Sequence, residues 1–149
     1  MKYEDPDNMD INPQNNESQT PLHLACREGH VDVVKTLLKH ITDFEKRSSL
    51  TKTRDNEQNT ALLLACESGV EEIVRILILN RADLFATRLE EVSAIHIAAR
   101  YGFIAIAEVL MSSGEDLVDI VEIYNQTPLH YAAESNQVDM INFLIDRYI

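Results

Sequence analysis

A ten-residue block occurs four times in this chain, as Thr20-Pro-Leu-His-Leu-Ala-Cys-Arg-Glu-Gly29, Thr60-Ala-Leu-Leu-Leu-Ala-Cys-Glu-Ser-Gly69, Ser93-Ala-Ile-His-Ile-Ala-Ala-Arg-Tyr-Gly102 and Thr127-Pro-Leu-His-Tyr-Ala-Ala-Glu-Ser-Asn136. The first residues lie 40, 33 and 34 positions apart. A unit this short cannot bury its own apolar face, so the period restricts the chain to a stack of small supersecondary units. Each block opens a helix. Thr20, Thr60, Ser93 and Thr127 supply an oxygen to the free N–H groups of a helix start, and Pro21 and Pro128 take the first helical position, where a missing N–H costs nothing. Ala25, Ala65, Ala98 and Ala132, with Cys26, Cys66, Ala99 and Ala133 beside them, form a small-residue seam for close helix approach. Gly29, Gly69 and Gly102 fall where a left-handed residue ends the first helix, and Asn136 takes that place in the fourth block.

A second helix follows each block, with apolar pairs at helical spacing: Val33, Val34, Leu37 and Leu38; Ile73, Val74, Leu77 and Ile78; Ile106, Ala107, Leu110 and Met111; Met140, Ile141, Leu144 and Ile145. The blocks resemble the ankyrin repeat, whose signature is Thr-Pro-Leu-His-x-Ala. The resemblance implies an all-α ankyrin-repeat solenoid of stacked helix-turn-helix pairs with projecting β-hairpin fingers, near residues 55–59, 88–92 and 122–126. The units are then 1–19, the tail of a preceding repeat in an acidic segment; 20–59, repeat 1 with an insertion at about 42–54; 60–92, repeat 2; 93–126, repeat 3; and 127–149, a truncated repeat 4. In such repeats the recurring imidazole, here His23, His96 and His130, bridges the Thr hydroxyl and the backbone of neighbouring turns; Leu63 replaces it in repeat 2.

The sequence departs from the family pattern at defined places. Two residues before each Thr or Ser the family favours Gly, whereas this chain has Ser18, Gln58, Glu91 and Asn125. Of these only Asn125 readily accepts positive φ, so the other fingers are expected to use different turns. In the slot after the second helix stand Ile41, Arg81 and Gly114, and Ile41 in a left-handed conformation would be an outlier. Repeat 1 also carries seven extra residues, read as a helix extension or an enlarged finger. There Lys46, Arg47, Lys52 and Arg54 outweigh Asp43 and Glu45, a local charge of +2 that suits a solvated loop or a contact to a partner or phosphate.

The net charge of −12 disfavours nucleic acid and anionic membrane as partners. It is uneven, with −4 in residues 1–19, −6 in 115–149 and −2 between them. The four glycines are too scattered to cradle a phosphate, and no membrane-spanning run or secretory signal is present. Two cysteines 40 residues apart lack disulfide-framework or metal-ligand spacing. Stacked repeats hold equivalent residues about 10 Å apart, too far for the recurring histidines to share a zinc ion. Neither Glu71-Glu72 nor Glu90-Glu91 is placed for acid–base work, so no catalytic residue, metal or cofactor is expected. The glycosylation triplets at Asn16 and Asn125 read as chance, and Lys46-Arg47-Ser48-Ser49 as a candidate for a basophilic kinase.

The resemblance implies protein binding through the fingers and the concave face of the first helices. On the concave face it points to Arg27, Glu28, Glu67, Arg100, Tyr101, Tyr131 and Glu134, beside Leu24, Leu64 and Ile97; on the fingers to Glu57, Glu90 and Tyr124. Arg100, Tyr101 and Tyr131 are the preferred anchors, because Tyr and Arg are enriched at hot spots. Leu79 is an apolar residue expected to be exposed. The function expected is a non-catalytic protein-interaction module in the cytoplasm, bound to protein partners or to neighbouring repeats of its own chain. Thr20 to His30 and Ser93 to Gly102 resemble repeats of ankyrin-type transient receptor potential (TRPA) cation channels, which with uncapped ends suggests a piece of a longer cytosolic array. The alternative is a small acidic inhibitor of the IκB type.

Overall fold

The computed structural model describes residues 10–114 and 116–147; expectations for residues 1–9, Glu115, Tyr148 and Ile149 lie outside the described residues. Helices α1 (Pro21–Arg27), α4 (Ala61–Ser68), α6 (Ala94–Tyr101) and α8 (Pro128–Glu134) stack side by side as an inner layer. An outer layer is formed by α2 (Val31–Lys39), α5 (Glu71–Leu79), α7 (Ile104–Met111) and α9 (Val138–Arg147). The extra residues of repeat 1 form α3 (Phe44–Lys52). The architecture is an all-α repeat solenoid.

The small-residue seam is buried, with Ala65, Ala98, Ala132, Cys66 and Ala99 at 0 % exposure, except at Ala133, which is exposed on α8. Large side chains fill the space between layers: Leu22, Leu62 and Ile95 from inner helices, and Leu77, Leu110 and Leu144 from outer ones. Each such side chain contributes about 1.5–3 kcal/mol relative to leaving it in water. Val33 and Ile145, expected in the core, are exposed on α2 and α9, the outer helices with an outer-layer neighbour on one side. Lys35–Glu72 joins α2 to α5 and Arg147–Glu108 joins α9 to α7. These exposed pairs are screened by solvent and add little to stability.

The inner helices begin as the sequence predicts. Thr20 N–H and Oγ1 lie 3.0 and 2.8 Å from His23 Nδ1, and His23 Nε2 lies 3.0 and 3.2 Å from the carbonyls of Thr53 and Asn59. Carbonyls only accept, so Nε2 carries the proton and Nδ1 accepts. Ser93 and His96 repeat the arrangement, with His96 Nε2 donating to the Gln126 carbonyl at 3.1 Å. Thr127 and His130 reproduce its local half. Leu63 fills the corresponding place in repeat 2 as a fully buried apolar side chain. There the insertion supplies a different tie: Arg54 Nη1 donates to Gln58 O at 2.8 Å and Thr87 O at 2.5 Å, joining two consecutive fingers.

Two expectations about turns are corrected. The fingers are tight turns rather than strand hairpins; among the described residues β pairing is confined to an isolated Thr87–Ser93 bridge. They also place the fourth residue alike, for Ser18, Gln58, Glu91 and Asn125 all adopt positive φ, between 58° and 64°. The cause is a common hydrogen-bond pattern. In each turn the first residue's carbonyl accepts from the fourth residue's N–H, and its N–H donates to the fifth residue's carbonyl, over 15–19, 55–59, 88–92 and 122–126. Side chains of Asn15, Asp55 and Glu122 accept two more N–H groups inside their own turns. These bonds offset the roughly 1–2 kcal/mol that a left-handed L-residue costs. Arg88 supplies no such acceptor, and its turn carries positive φ at both Glu90 and Glu91.

The insertion is neither an extension of α2 nor an enlarged finger. Asp43 Oδ1 accepts from the N–H groups of Glu45 and Lys46, a helix cap that starts α3 afresh. Leu50 and Thr51 are buried, and Phe44 lies under the guanidinium groups of Arg47 and Arg81. Ile41 avoids the left-handed region, because the chain leaves α2 for α3 there; Arg81 enters it at φ 61° after α5.

Three outcomes test this account. Burial holds the pKa of His23 and of His96 below the ordinary 6.5. The unfolded chain therefore binds protons first as pH falls through about 6.5, and stability is lost from there down to the folded-state values. Thermal melts from pH 7.5 to 5 should show that loss, reduced in His23→Leu, whose stability at pH 7.5 is itself lower by about 1–3 kcal/mol from the carbonyls left unpaired. A Cβ on Gly69 (φ 77°) would lie 2.7 Å from the Phe103 ring, whereas one on Gly114 meets nothing within 4 Å. Gly69→Ala should therefore cost more than Gly114→Ala in urea denaturation. Glu91→Gly should raise stability by about 0.5 kcal/mol, the left-handed strain outweighing glycine's extra chain entropy.

Candidate protein-binding surface

The fingers and inner helices meet at a cleft of about 320 Å³ lined by Glu57, Arg88, Leu89, Glu90, Arg100 and Tyr101, with Val92, Ile97 and Tyr131 deeper in. Its walls come from four successive repeats, with Glu57 contributed by the finger turn at 55–59. The finger turn at 88–92 supplies Leu89 and Glu90, α6 supplies Arg100 and Tyr101, and α8 supplies Tyr131. The α6 pair sits in the last helical turn, where Gly102 (φ 72°) ends the helix.

Charged and aromatic groups interlock around the opening. Arg88 Nη1 pairs with Glu67 Oε2 at 3.0 Å, and Tyr101 O–H donates to Glu67 Oε1 at 3.4 Å. Arg100 stacks over the Tyr131 ring at 4.7 Å, and that ring meets His96 at 5.0 Å. Tyr101 stacks on Phe103, 5.6 Å between centroids. The arrangement fixes the long side chains before any partner arrives, which lowers the ordering cost of binding. Leu89 and Tyr101 keep 60 % and 43 % of their surface exposed, giving the opening an apolar component.

Of the concave residues expected from the sequence, Glu67, Arg100, Tyr101 and Tyr131 come together here, and the finger residues Glu57 and Glu90 join them. Tyr131 is only 4 % exposed, so it forms the floor rather than a projecting anchor. Leu64 and Ile97 are buried, and Leu24 is exposed. Arg27, the last residue of α1, and Glu28, just beyond it, are exposed and pair with each other at 3.6 Å; Glu134 is exposed on α8. Tyr124 projects from the third finger with 66 % exposure beside exposed Ile123, whose N–H donates to the Glu90 carbonyl. Leu79 is 76 % exposed at the end of α5, in the outer layer.

In the insertion Lys46 and Lys52 are exposed, while Arg47 is held on Phe44 and Arg54 ties fingers together. Thr20, His23, Thr60, Ser93, His96, Thr127 and His130 take the capping roles described above. Arg88, Leu89 and Val92 are the cleft residues that sequence reasoning passed over. The available signal was a leucine, flanked by charges, in a segment otherwise read as a solvated turn. Cys26 and Cys66 are buried free thiols, and burial pushes Cys26 up to about 12, out of reach of thiolate chemistry at neutral pH. No group of three or more metal-ligating side chains occurs among the described residues.

The family model for ankyrin repeats, three copies, matches residues 6–88 and 79–149. The human Ankyrin repeat and SAM domain-containing protein 1A is 44 % identical over 41 residues, 28 % of this chain and 4 % of that protein. NF-kappa-B inhibitor cactus from Drosophila yakuba and from Drosophila melanogaster are each 37 % identical over 65 residues, 44 % of this chain and 13 % of theirs. The chain thus spans a small part of the length of these relatives. With four capped helix pairs in register and the family model covering nearly every residue, the chain belongs to the ankyrin repeat family.

Proposed function

We propose that the chain is a non-catalytic docking module whose cleft, between the fingers of repeats 1 and 2 and the inner helices of repeats 3 and 4, takes an extended segment of a partner protein. The observation that carries this reading is the cleft itself, in which exposed Leu89 and Tyr101 sit among charged groups already held by Glu67 and Tyr131. Apolar contact supplies the affinity of such a site, and the surrounding charges select what enters. Among the described residues no helix is long and apolar enough to cross a membrane.

Two cellular settings fit this module. The similarity to cactus, with the net charge of −12, supports an inhibitor of NF-kappa-B-type transcription factors acting through a basic surface of the factor. The motifs at Thr20 to His30 and Ser93 to Gly102 support membership of a longer cytosolic array of the TRPA type. A reading frame with more repeats and about six apolar spans of roughly 20 residues favours the channel. Tight binding to an NF-kappa-B-type factor favours the inhibitor.

The cleft is tested independently of either setting. Peptides selected against the chain from a random display library should lose about tenfold or more in affinity on Leu89→Ala or Tyr101→Ala. Leu79→Ala, in the outer layer, should leave them unchanged. The reverse pattern would move the binding surface away from the cleft.

A further inference from the structure

We propose that Ser49 is a phosphorylation site for a serine kinase with an acidic, Arg/Lys-directed substrate groove. The segment Lys46-Arg47-Ser48-Ser49-Leu50 is the chain's densest meeting of cations and hydroxyls, and its sequence alone does not choose between the two serines. The structure does. Ser48 is 5 % exposed and faces the packed side of α3 with Leu50 and Thr51, whereas Ser49 is exposed. Lys46, one helical turn earlier on the same face, is exposed as well. With Ser49 as acceptor, Lys46 and Arg47 stand three and two residues before it, where an acidic groove bound to an extended segment meets them.

A kinase takes its substrate extended, so α3 must open. The helix is suited to that. It has nine residues, too few for independent stability, and lies outside the repeated pairs. The Nε of Arg47 is buried without a hydrogen-bond partner, a strain that opening relieves. What opening gives up is local: the burial of Leu50 and Thr51, the contacts of Phe44 with Arg47 and Arg81, the Arg81–Glu45 pair and a long Thr51 Oγ1 contact, 3.5 Å, to the Asn80 carbonyl. Local opening of this kind leaves the repeat stack intact.

In the transfer, Ser49 Oγ forms a bond to the γ-phosphorus of ATP as the bond to the β–γ bridging oxygen breaks. ADP leaves, and the hydroxyl proton passes to the kinase's base. The product carries about −1.5 to −2 at Ser49, between Lys46 and Lys52 on one helix face. The insertion's local +2 then falls to about zero.

The test treats the whole folded chain, well below its melting temperature, with the catalytic subunit of cAMP-dependent protein kinase and ATP, and maps the product by mass spectrometry. The expected result is a single phosphate on Ser49, absent from Ser49→Ala and retained in Ser48→Ala. Lys46→Ala, a change at an exposed residue, should lower kcat/KM by about tenfold. Phosphate on Ser48 or on another hydroxyl, no incorporation, or a rate indifferent to Lys46 overturns the proposal.

Discussion

A neutral, buried imidazole reaching from the start of one inner helix to the finger that follows sets the orientation of the parts. His23 accepts from its own Thr20 cap and donates to carbonyls 30 and 36 residues further on. His96 does the same across to Gln126. One ring thus ties helix rotation to finger position, and that relation decides which inner-helix residues face the cleft. Protonation would place a charge in this buried site and remove the acceptor at Nδ1, which explains why burial and geometry both favour the neutral ring.

The helix starts were legible in the sequence because capping chemistry is local: an oxygen, a proline and an imidazole within four residues suffice. The finger geometry was not, because Gln58 and Glu91 have no intrinsic preference for positive φ. The closure of each turn imposes it. Helix α3 was hidden for a related reason. Its residues, from Phe44 to Lys52, show no clear apolar stripe, and only Asp43 as a cap and the spacing of Ser48, Leu50 and Thr51 on the packed side betray it.

The cleft was partly legible. Arg100 and Tyr101 follow from their place in the last turn of an inner helix, a position that recurs in every repeat. Leu89 does not, since a lone apolar residue among charges carries no periodicity. Nor does the burial of Tyr131, which depends on Arg100 of the preceding repeat lying across its ring. Contacts between repeats are set by register, and a one-dimensional pattern records register only where residues recur.

Leu63 marks the one junction that lacks the imidazole tie. Between repeats 2 and 3 the inner helices α4 and α6 pack less extensively than α1 with α4 or α6 with α8, while the outer helices α5 and α7 pack more extensively than the other outer pairs. The fingers there are joined by Arg54, an exposed side chain whose guanidinium trades easily with water. The cleft opens on the same junction, with Glu57 and Glu67 on one side and Arg100 and Tyr131 on the other. The width of the groove is thus set at the joint held by partly exposed side chains, Arg54 and the Tyr101–Glu67 hydrogen bond, rather than by a buried ring.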